Sequence, residues 1–291
     1  MPKLGAHIPI SKGLEKALFE GKRIGCEVIQ IFTHNANSWY MKPLSKEQIE
    51  LFERAKEETK IKPISVHVGY LINVASPEQR VWKNSVKALK KELERANKLK
   101  IPYVVMHPGS HKGAGEKKGI EKISMALKEV LNETEFNGRL LLETTAGQGT
   151  SIGYRFEHLA DIIEKTGILE KLGICIDTCH IFAAGYDFRE KDGYEKTIRE
   201  LEKLIGLDYL FLFHINDSKK ECGSRIDRHM HIGEGLIGIK GLSFFLKDKR
   251  FSKHPFIIET PKETDKNGTD YDIINLSRLK QILGEKRNDN I

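Results

Sequence analysis

The sequence predicts an α/β protein folded as a (β/α)8 TIM barrel, with a functional site at the carboxyl ends of its strands. Two observations support this prediction. Eight short apolar runs alternate along the chain with eight longer segments of helical periodicity. Six consecutive runs also end in a histidine or an acidic residue, at steps of 34 to 45 residues. Such a step accommodates one strand, one helix and two loops, and a barrel of this kind brings the carboxyl ends of all its strands to one face.

The apolar runs are rich in Val, Ile, Leu and Phe, as β-strands are. They are predicted at 3–7, 28–32, 63–67, 103–107, 140–143, 173–177, 209–214 and 255–259. Side chains two positions apart on a strand point to the same face, so the residues two positions before the strand-end residues should point the same way. All six are small or apolar, as a barrel interior requires: Ser65, Val105, Leu141, Cys175, Leu212 and Ile257. Cys175, and less strongly Cys179, is therefore expected to pack and not to bind metal.

Helices are predicted between the strands from apolar positions at helical spacing. Their expected ranges are 11–24, 46–58, 79–100, 119–133, 156–166, 193–205, 240–247 and 272–283. Two starts carry capping-box residues: Ser45 with Gln48, and Ser76 with Gln79, the latter with Pro77 at the first helical position. The lysine-rich helical segments at 83–100 and 117–128 are expected to be outer, solvated faces.

Composition limits the classes of protein that the chain can represent. Its 291 residues contain no Pro/Gly/Ser-rich linker, so we expect one domain over 1–284 and a disordered tail at 285–291. No apolar run reaches 18 residues and no signal-peptide pattern opens the chain, which predicts a cytoplasmic protein without a membrane partner. The four cysteines form no Cys-x-x-Cys pair and are expected to be reduced. The net charge of +7 permits a polyanionic partner.

Nine side chains at the predicted barrel mouth are candidate metal ligands. Six end strands, one follows three residues after Asp177, and two lie in the loop after the seventh strand. They are His67, His107, Glu143, Asp177, His180, His214, Asp227, His229 and Glu259. Imidazoles and carboxylates without thiolates suit zinc, with manganese as the second choice. Nine ligands are too many for one ion. If one carboxylate bridges two ions, the nine ligands form two metal–ligand bonds fewer than three tetrahedral ions require. The two open positions leave room for water and a substrate oxygen. Three dications against four carboxylates leave a formal charge of +2, suited to a phosphodiester anion.

Three motifs add a family resemblance. HVGYLINVA at 67–75, GICIDTCH at 173–180 and FHINDSKKECGSRIDRH at 213–229 resemble the signature motifs of the endonuclease IV family, the zinc-dependent apurinic/apyrimidinic endonucleases. The resemblance extends from GAH near the start of the chain to IIETP near its end. It implies hydrolysis of the DNA backbone 5′ to an abasic site, leaving a 3′-hydroxyl and a 5′-deoxyribose phosphate. It also implies removal of blocked 3′ ends.

The resemblance also assigns the ligands to three zinc ions. The first ion takes His67, His107 and Glu143; the second takes Glu143, Asp177, His214 and Glu259; the third takes His180, Asp227 and His229. Glu143 is then the bridge, and Glu143 and Glu259 orient the nucleophile as catalytic residues.

The expected partner is double-stranded DNA that contains abasic sites or blocked 3′ ends, bound by a monomer. Tyr70 and Leu71 match family positions that insert into the duplex, and Trp39 matches a family tryptophan. Asn37 stands where bacterial relatives carry an inserted arginine, which puts insertion from that loop in doubt. Arg228, in the basic loop after the seventh strand, is a further candidate for DNA contact. His111 and His231, beside the ligands, are candidates for phosphate contact.

Two alternatives use the same residues differently. A sugar isomerase or epimerase on a related barrel would need a single metal site, here Glu143, Asp177, His214 and Glu259, and would leave the other five candidates unexplained. A catalytically silent DNA-binding protein stabilised by zinc would be expected to have closed, thiolate-rich sites. His7, at the end of the first strand, is expected either to support the site or to pack at the barrel mouth.

Overall fold

A computed structural model describes residues 1–284 and contains a closed barrel of eight parallel strands, which confirms the predicted fold. The strands are Lys3–Ile8 (β1), Val28–Ile31 (β2), Lys62–His67 (β3), Tyr103–Met106 (β4), Arg139–Glu143 (β5), Leu172–Asp177 (β6), Leu210–His214 (β7) and Pro255–Ile258 (β8). Each strand pairs with its neighbours in chain order, and β1 closes the barrel against β8. The tail predicted at 285–291 lies outside the described residues.

The helices cover the outside of the barrel. They are Leu14–Arg23 (α1), Lys46–Thr59 (α2), Gln79–Lys98 (α3), Glu116–Glu133 (α4), Phe156–Thr166 (α5), Thr178–Ala184 (α6), Lys191–Leu204 (α7), Gly238–Lys247 (α8) and Tyr271–Ile282 (α9). Helix α6 has no counterpart among the helices predicted from the sequence. This helix has seven residues; Asp177 caps its start by accepting the backbone N–H of His180 at 2.8 Å, and Gly185 ends it with φ of 114°. His180 therefore lies in the first turn of a helix, directly above β6.

One of the two predicted capping boxes is present. Ser45 accepts the N–H of Gln48 and the Gln48 side chain accepts the N–H of Ser45. The prediction at Ser76 is wrong, because α3 begins at Gln79 after an extended Glu78. The Ser76 hydroxyl instead accepts the N–H of Glu78 at 3.2 Å, in a turn that precedes the helix.

The barrel interior is filled by its own apolar cluster, separate from the core between strands and helices. The cluster consists of Val28, Val105, Leu141, Cys175, Leu212 and Ile257. Its members include five of the six residues predicted to point inward, and the sixth, Ser65, is also fully buried. This layer closes the barrel below the strand ends, so the side chains two residues further along stand at its mouth. Among residues 1–284, no helix combines the length and apolar character needed to cross a membrane.

Candidate metal centre

Glu143, at the end of β5, is the carboxylate on which four histidines converge. Its Oε2 lies 3.0 Å from Nε2 of His67 and 3.2 Å from Nε2 of His107. Its Oε1 lies 2.9 Å from Nδ1 of His214 and 3.3 Å from Nδ1 of His180. Glu143 is fully buried, and the four imidazoles come from different parts of the barrel rim. A carboxylate with both oxygens engaged in this way can bridge two metal ions.

The loop after β7 brings two more predicted ligands to the same rim. Residues 217–218 and 229–230 form a short antiparallel pair, which folds the loop back over the barrel mouth. Asp227 then lies 3.1 Å from Nε2 of His180 and 3.4 Å from Nε2 of His229. His229 Nε2 is also 3.5 Å from Oδ2 of Asp177, at the end of β6.

All nine predicted side chains are thus brought together, and their ligand atoms fall into compact sets. Within each set the ligand atoms lie within 4.8 Å of one another. The first set is His67, His107 and Glu143; the second is Glu143, Asp177, His214 and Glu259; and the third is His180, Asp227 and His229. These are the three sets that the family resemblance implied. Asp177, Cys179 and His229 form a further set, but the Cys179 thiol is buried, and burial raises its pKa to about 12.

The imidazoles are oriented with one nitrogen free toward the centre. His67, His180 and His229 each donate an Nδ1–H to a backbone carbonyl, at 2.9, 2.8 and 3.0 Å respectively. A carbonyl oxygen can only accept, so the other nitrogen, Nε2, is left with its lone pair facing the cluster. Metal-binding histidines use this arrangement in most protein sites. The donor set therefore fits divalent metal ions.

The electrostatics of the cluster favour cations. Burial alone would raise the pKa of Glu143, but the imidazoles of His214 and His107 outweigh it and hold that pKa well below its usual range. Burial alone would lower the pKa of His180, but Asp177 and Asp227 raise it well above its ordinary value. The Glu143 carboxylate thus stays ionised and attracts positive charge, which protons or metal ions can supply.

An open cavity of about 960 Å³ lies above the cluster, lined by six of the nine side chains. Of the residues predicted to contact DNA, Asn37, Tyr70 and Arg228 line it. Leu71 is half-buried and lines a smaller groove beside it, which shares His67, Tyr70 and His107 with the cavity. Trp39 is 40% exposed and is not among the residues that line the cavity.

Three further histidines lie close to the site in the sequence or in the structure. His7 lies beside the site, with its Nδ1 3.0 Å from Nε2 of Gln30 and 3.2 Å from Oε1 of Glu259. The prediction of a phosphate contact is wrong for His231, which is only 1% exposed. Its ring stacks on Tyr271 at 3.6 Å and its Nε2 lies 2.7 Å from Glu263. His111 accepts the backbone N–H of Gly115 through Nδ1, within the loop after β4.

Two buried amides that contact the ligands were not predicted from the sequence. Asn216 donates to Oδ2 of Asp177 at 2.6 Å and accepts the backbone N–H of Glu259 at 2.7 Å. Gln30 donates to Oε1 of Glu259 at 2.6 Å. Both could have been found from the sequence as polar residues in or beside an apolar strand. A buried amide needs polar partners, so such a residue indicates a polar site nearby.

A closed parallel barrel with convergent imidazoles and carboxylates at its mouth defines a metal-dependent TIM-barrel enzyme. A family described as a xylose isomerase-like TIM barrel matches residues 19–280. A relative called probable endonuclease 4, from Chloroflexus aurantiacus, is 46% identical over 97% of this chain and 99% of its own length. The crystal structure of endonuclease IV from Thermus thermophilus superposes with a TM-score of 0.83, at 34% identity over 98% of this chain and 100% of that chain. The chain therefore belongs to the endonuclease IV family and is an enzyme of the nuclease class.

The fold is shared more widely than the family. A D-tagatose 3-epimerase-like protein superposes with a TM-score of 0.72, at 20% identity over 97% of both chains. At that identity the likeness shows a common barrel only, since the same fold supports many chemistries.

Proposed function

We propose that this protein is a DNA-repair endonuclease that hydrolyses the phosphodiester 5′ to abasic sites and leaves a 3′-hydroxyl and a 5′-deoxyribose phosphate. It also trims blocked 3′ ends, and it acts as a cytoplasmic monomer. Three zinc ions serve as cofactors, with manganese as an alternative at one position. The observation that carries the proposal is the division of nine rim side chains into three adjacent ligand sets around one buried carboxylate.

His67, His107 and Glu143 would hold the first ion; Glu143, Asp177, His214 and Glu259 the second; and His180, Asp227 and His229 the third. Zinc supplies a Lewis acid that polarises phosphate oxygens and lowers the pKa of water to about 7. With three dications and four carboxylates, the rim carries a net positive charge opposite an anionic phosphodiester. The net charge of the whole chain, +7, favours the same polyanionic partner.

Glu259 is the carboxylate best placed to orient an attacking water. Its side chain is 17% exposed and lines the cavity, whereas the Glu143 side chain is fully buried. A hydrogen bond from Gln30 holds one of its oxygens, while the other lies 3.2 Å from Nδ1 of His214. We assign Glu259 the orienting role and Glu143 the bridging role.

No side chain of the site is proposed as a covalent nucleophile. Burial raises the pKa of both Cys175 and Cys179 to about 12, so neither thiol forms the reactive thiolate near neutral pH. Water attacks phosphorus in line, and the reaction passes through no covalent enzyme intermediate.

A single-metal isomerase or epimerase is the second candidate. The set of Glu143, Asp177, His214 and Glu259 supports it, because these four residues alone could hold one ion. The other five side chains would then have no role, which favours the nuclease.

One experiment separates these functions. Elemental analysis of the purified protein should give about three zinc ions per chain. The same preparation should cut a labelled duplex once, 5′ to a single abasic site, and leave an end that a polymerase extends. One ion per chain with no incision would overturn the proposal in favour of the epimerase. Zinc-dependent binding without incision would indicate a silent DNA-binding protein.

A further inference from the structure

Gln30 is a polar side chain on β2 whose four hydrogen-bonding positions are all directed at the metal centre or its supports. The residue is fully buried. Its Oε1 accepts the Ser65 hydroxyl at 2.8 Å, and its Nε2 donates to Oε1 of Glu259 at 2.6 Å. An ionised carboxylate can only accept a hydrogen bond, so Glu259 fixes which end of the amide is nitrogen.

That orientation determines the tautomer of a proposed metal ligand. Oε1 of Gln30 also lies 3.0 Å from Nε2 of His214. Because this oxygen can only accept, Nε2 of His214 carries the hydrogen, and Nδ1 is left to bind a cation. Nδ1 lies 2.9 Å from Oε1 of Glu143 and 3.2 Å from Oε2 of Glu259.

These three electron-rich atoms repel one another at this separation unless a proton or a metal ion lies among them. The same three residues belong to the proposed ligand set of Glu143, Asp177, His214 and Glu259. Gln30 therefore orders two members of one set, Glu259 and His214. Its hydrogen bonds reach neither of the other two sets.

The amide has no spare hydrogen-bonding capacity. Its second N–H faces Nδ1 of His7 at 3.0 Å, so both of its donors and both positions of its acceptor are used. Rotating the amide would turn its oxygen toward Glu259 and leave buried donors unpaired, which is costly. Gln30 is thus held in one orientation by groups from β1, β3, β7 and the residue after β8.

We propose that Gln30 is a positioning residue that raises the zinc affinity of one of the three ions, the one bound by Glu143, Asp177, His214 and Glu259. It acts by fixing the His214 tautomer and the direction of the Glu259 carboxylate. This inference rests on the proposed zinc centre. Partners that orient metal ligands in this way typically contribute about 10- to 100-fold in affinity.

The test is zinc titration of the metal-free protein against a chromophoric chelator, comparing wild type with Gln30→Met. Methionine has a similar volume and no strong hydrogen-bonding group. We expect one of three ions to bind about 10- to 100-fold more weakly in the variant, and the other two to bind as in wild type. The stoichiometry should then fall from three toward two at limiting free zinc.

Asn275 provides a matched control. It is also a fully buried amide; it contacts Nδ1 of His231 at 3.1 Å and the Thr260 hydroxyl at 2.9 Å, and none of the nine proposed ligands. Asn275→Leu should lower stability yet keep the zinc affinity of wild type. Equal zinc affinity in wild type and Gln30→Met, or equal weakening in the Asn275 variant, would overturn the role of Gln30.

If Gln30→Met fails to fold, Ser65→Ala removes only the hydroxyl that pins the amide oxygen, and it should weaken the same ion by a smaller factor. Unchanged zinc binding in that variant would count against the proposal. A wild-type protein that binds one ion or none would refute the zinc centre itself, whereas three ions with unchanged affinity in the Gln30 variants would refute only the inference.

Discussion

Glu92, in the middle of α3, accepts the backbone N–H of Gly69 at 3.2 Å and so connects an outer helix to the loop after β3. Its other carboxylate oxygen accepts the hydroxyl of Thr33, in the loop after β2, at 2.9 Å. Arg95, one turn later, donates to the Thr33 hydroxyl and to the carbonyls of Thr33 and Lys42. The buried residues Glu92 and Arg95 therefore anchor two of the three loops that carry proposed DNA-contacting residues, those after β2 and β3.

The raised pKa of Glu92 predicts that the stability of the protein depends on pH. Burial raises its pKa from 4.5 to about 7, so the folded state retains a proton that the unfolded state loses at lower pH. The stability that this group provides is therefore full below about 4.5 and is lost as pH rises toward 7, by roughly 3 kcal/mol. Glu92→Gln should remove this loss. Denaturant unfolding of both zinc-saturated proteins from about pH 4.5 to about pH 8 measures the difference, and parallel pH profiles would show that Glu92 stays ionised.

We expect the Tyr70 ring to help the protein to discriminate between damaged and intact DNA. It is 68% exposed, lines the cavity and packs edge-on against Phe32 at 5.4 Å. An aromatic ring stacked on a base typically contributes about 1 to 3 kcal/mol. Tyr70→Ala should therefore reduce the preference for abasic over intact duplex roughly tenfold, measured as a ratio of binding constants at fixed salt. Tyr40, 75% exposed and not among the residues that line the cavity, supplies the control; an unchanged ratio in Tyr70→Ala would reject insertion by this ring.

The barrel and the meeting of nine ligands at one rim could be predicted, because both depend on periodic features of the chain. A strand that ends in histidine or carboxylate delivers that group to the mouth wherever the barrel closes. Helix α6 could not be predicted from periodicity, since its seven residues span less than two full turns. Its start is marked only by Asp177, which sequence reasoning had already assigned to metal.

Buried polar residues were the main failure of the sequence analysis. The lysine-rich face expected along α3 includes Glu92 and Arg95, which are buried because two distant loops fold over them. The local sequence does not contain that information. Gln30 and His231 illustrate the same point: Gln30 bonds to Ser65, 35 residues away, and His231 contacts Glu263, 32 residues away.

The hydrogen bonds of Asp217 predict that the conformation of the loop carrying His229 depends on this one carboxylate. The residue is fully buried, and its oxygens accept five backbone N–H groups, those of Ser218, Gly233, Gly235, Ile237 and Gly238. Asp217→Asn would turn an amide N–H₂ toward some of these donors and leave them unpaired. We expect a loss of about 3 kcal/mol or more in unfolding free energy, together with weaker binding of one zinc ion. Denaturant unfolding and zinc titration of the variant measure the two effects.

Asp265 offers the comparison for this variant. It also accepts backbone N–H groups, from Asn267 at 2.9 Å and Thr269 at 2.8 Å, but in an exposed loop where water can replace them. Asp265→Asn should cost less than about 1 kcal/mol. Similar losses for the two variants would show that burial of the Asp217 carboxylate does not determine its contribution.

We expect substitution of Glu259 to cause the largest loss of activity. Its carboxylate contacts His214 and faces the cavity, so Glu259→Gln removes a negative charge from both the second ligand set and the proposed position of the attacking water. Positioned acid–base groups typically contribute about 10²- to 10⁴-fold, and we expect a fall in nicking rate of that order. Zinc content measured on the same preparation separates the two roles: retained zinc with lost activity indicates orientation of water, and lost zinc indicates ligation. Glu263→Gln is the control and should cut at the wild-type rate, because the Glu263 carboxylate contacts His231 and neither residue is among those that line the cavity. Wild-type activity in Glu259→Gln would refute both roles, because the remaining ligands would then be sufficient for catalysis.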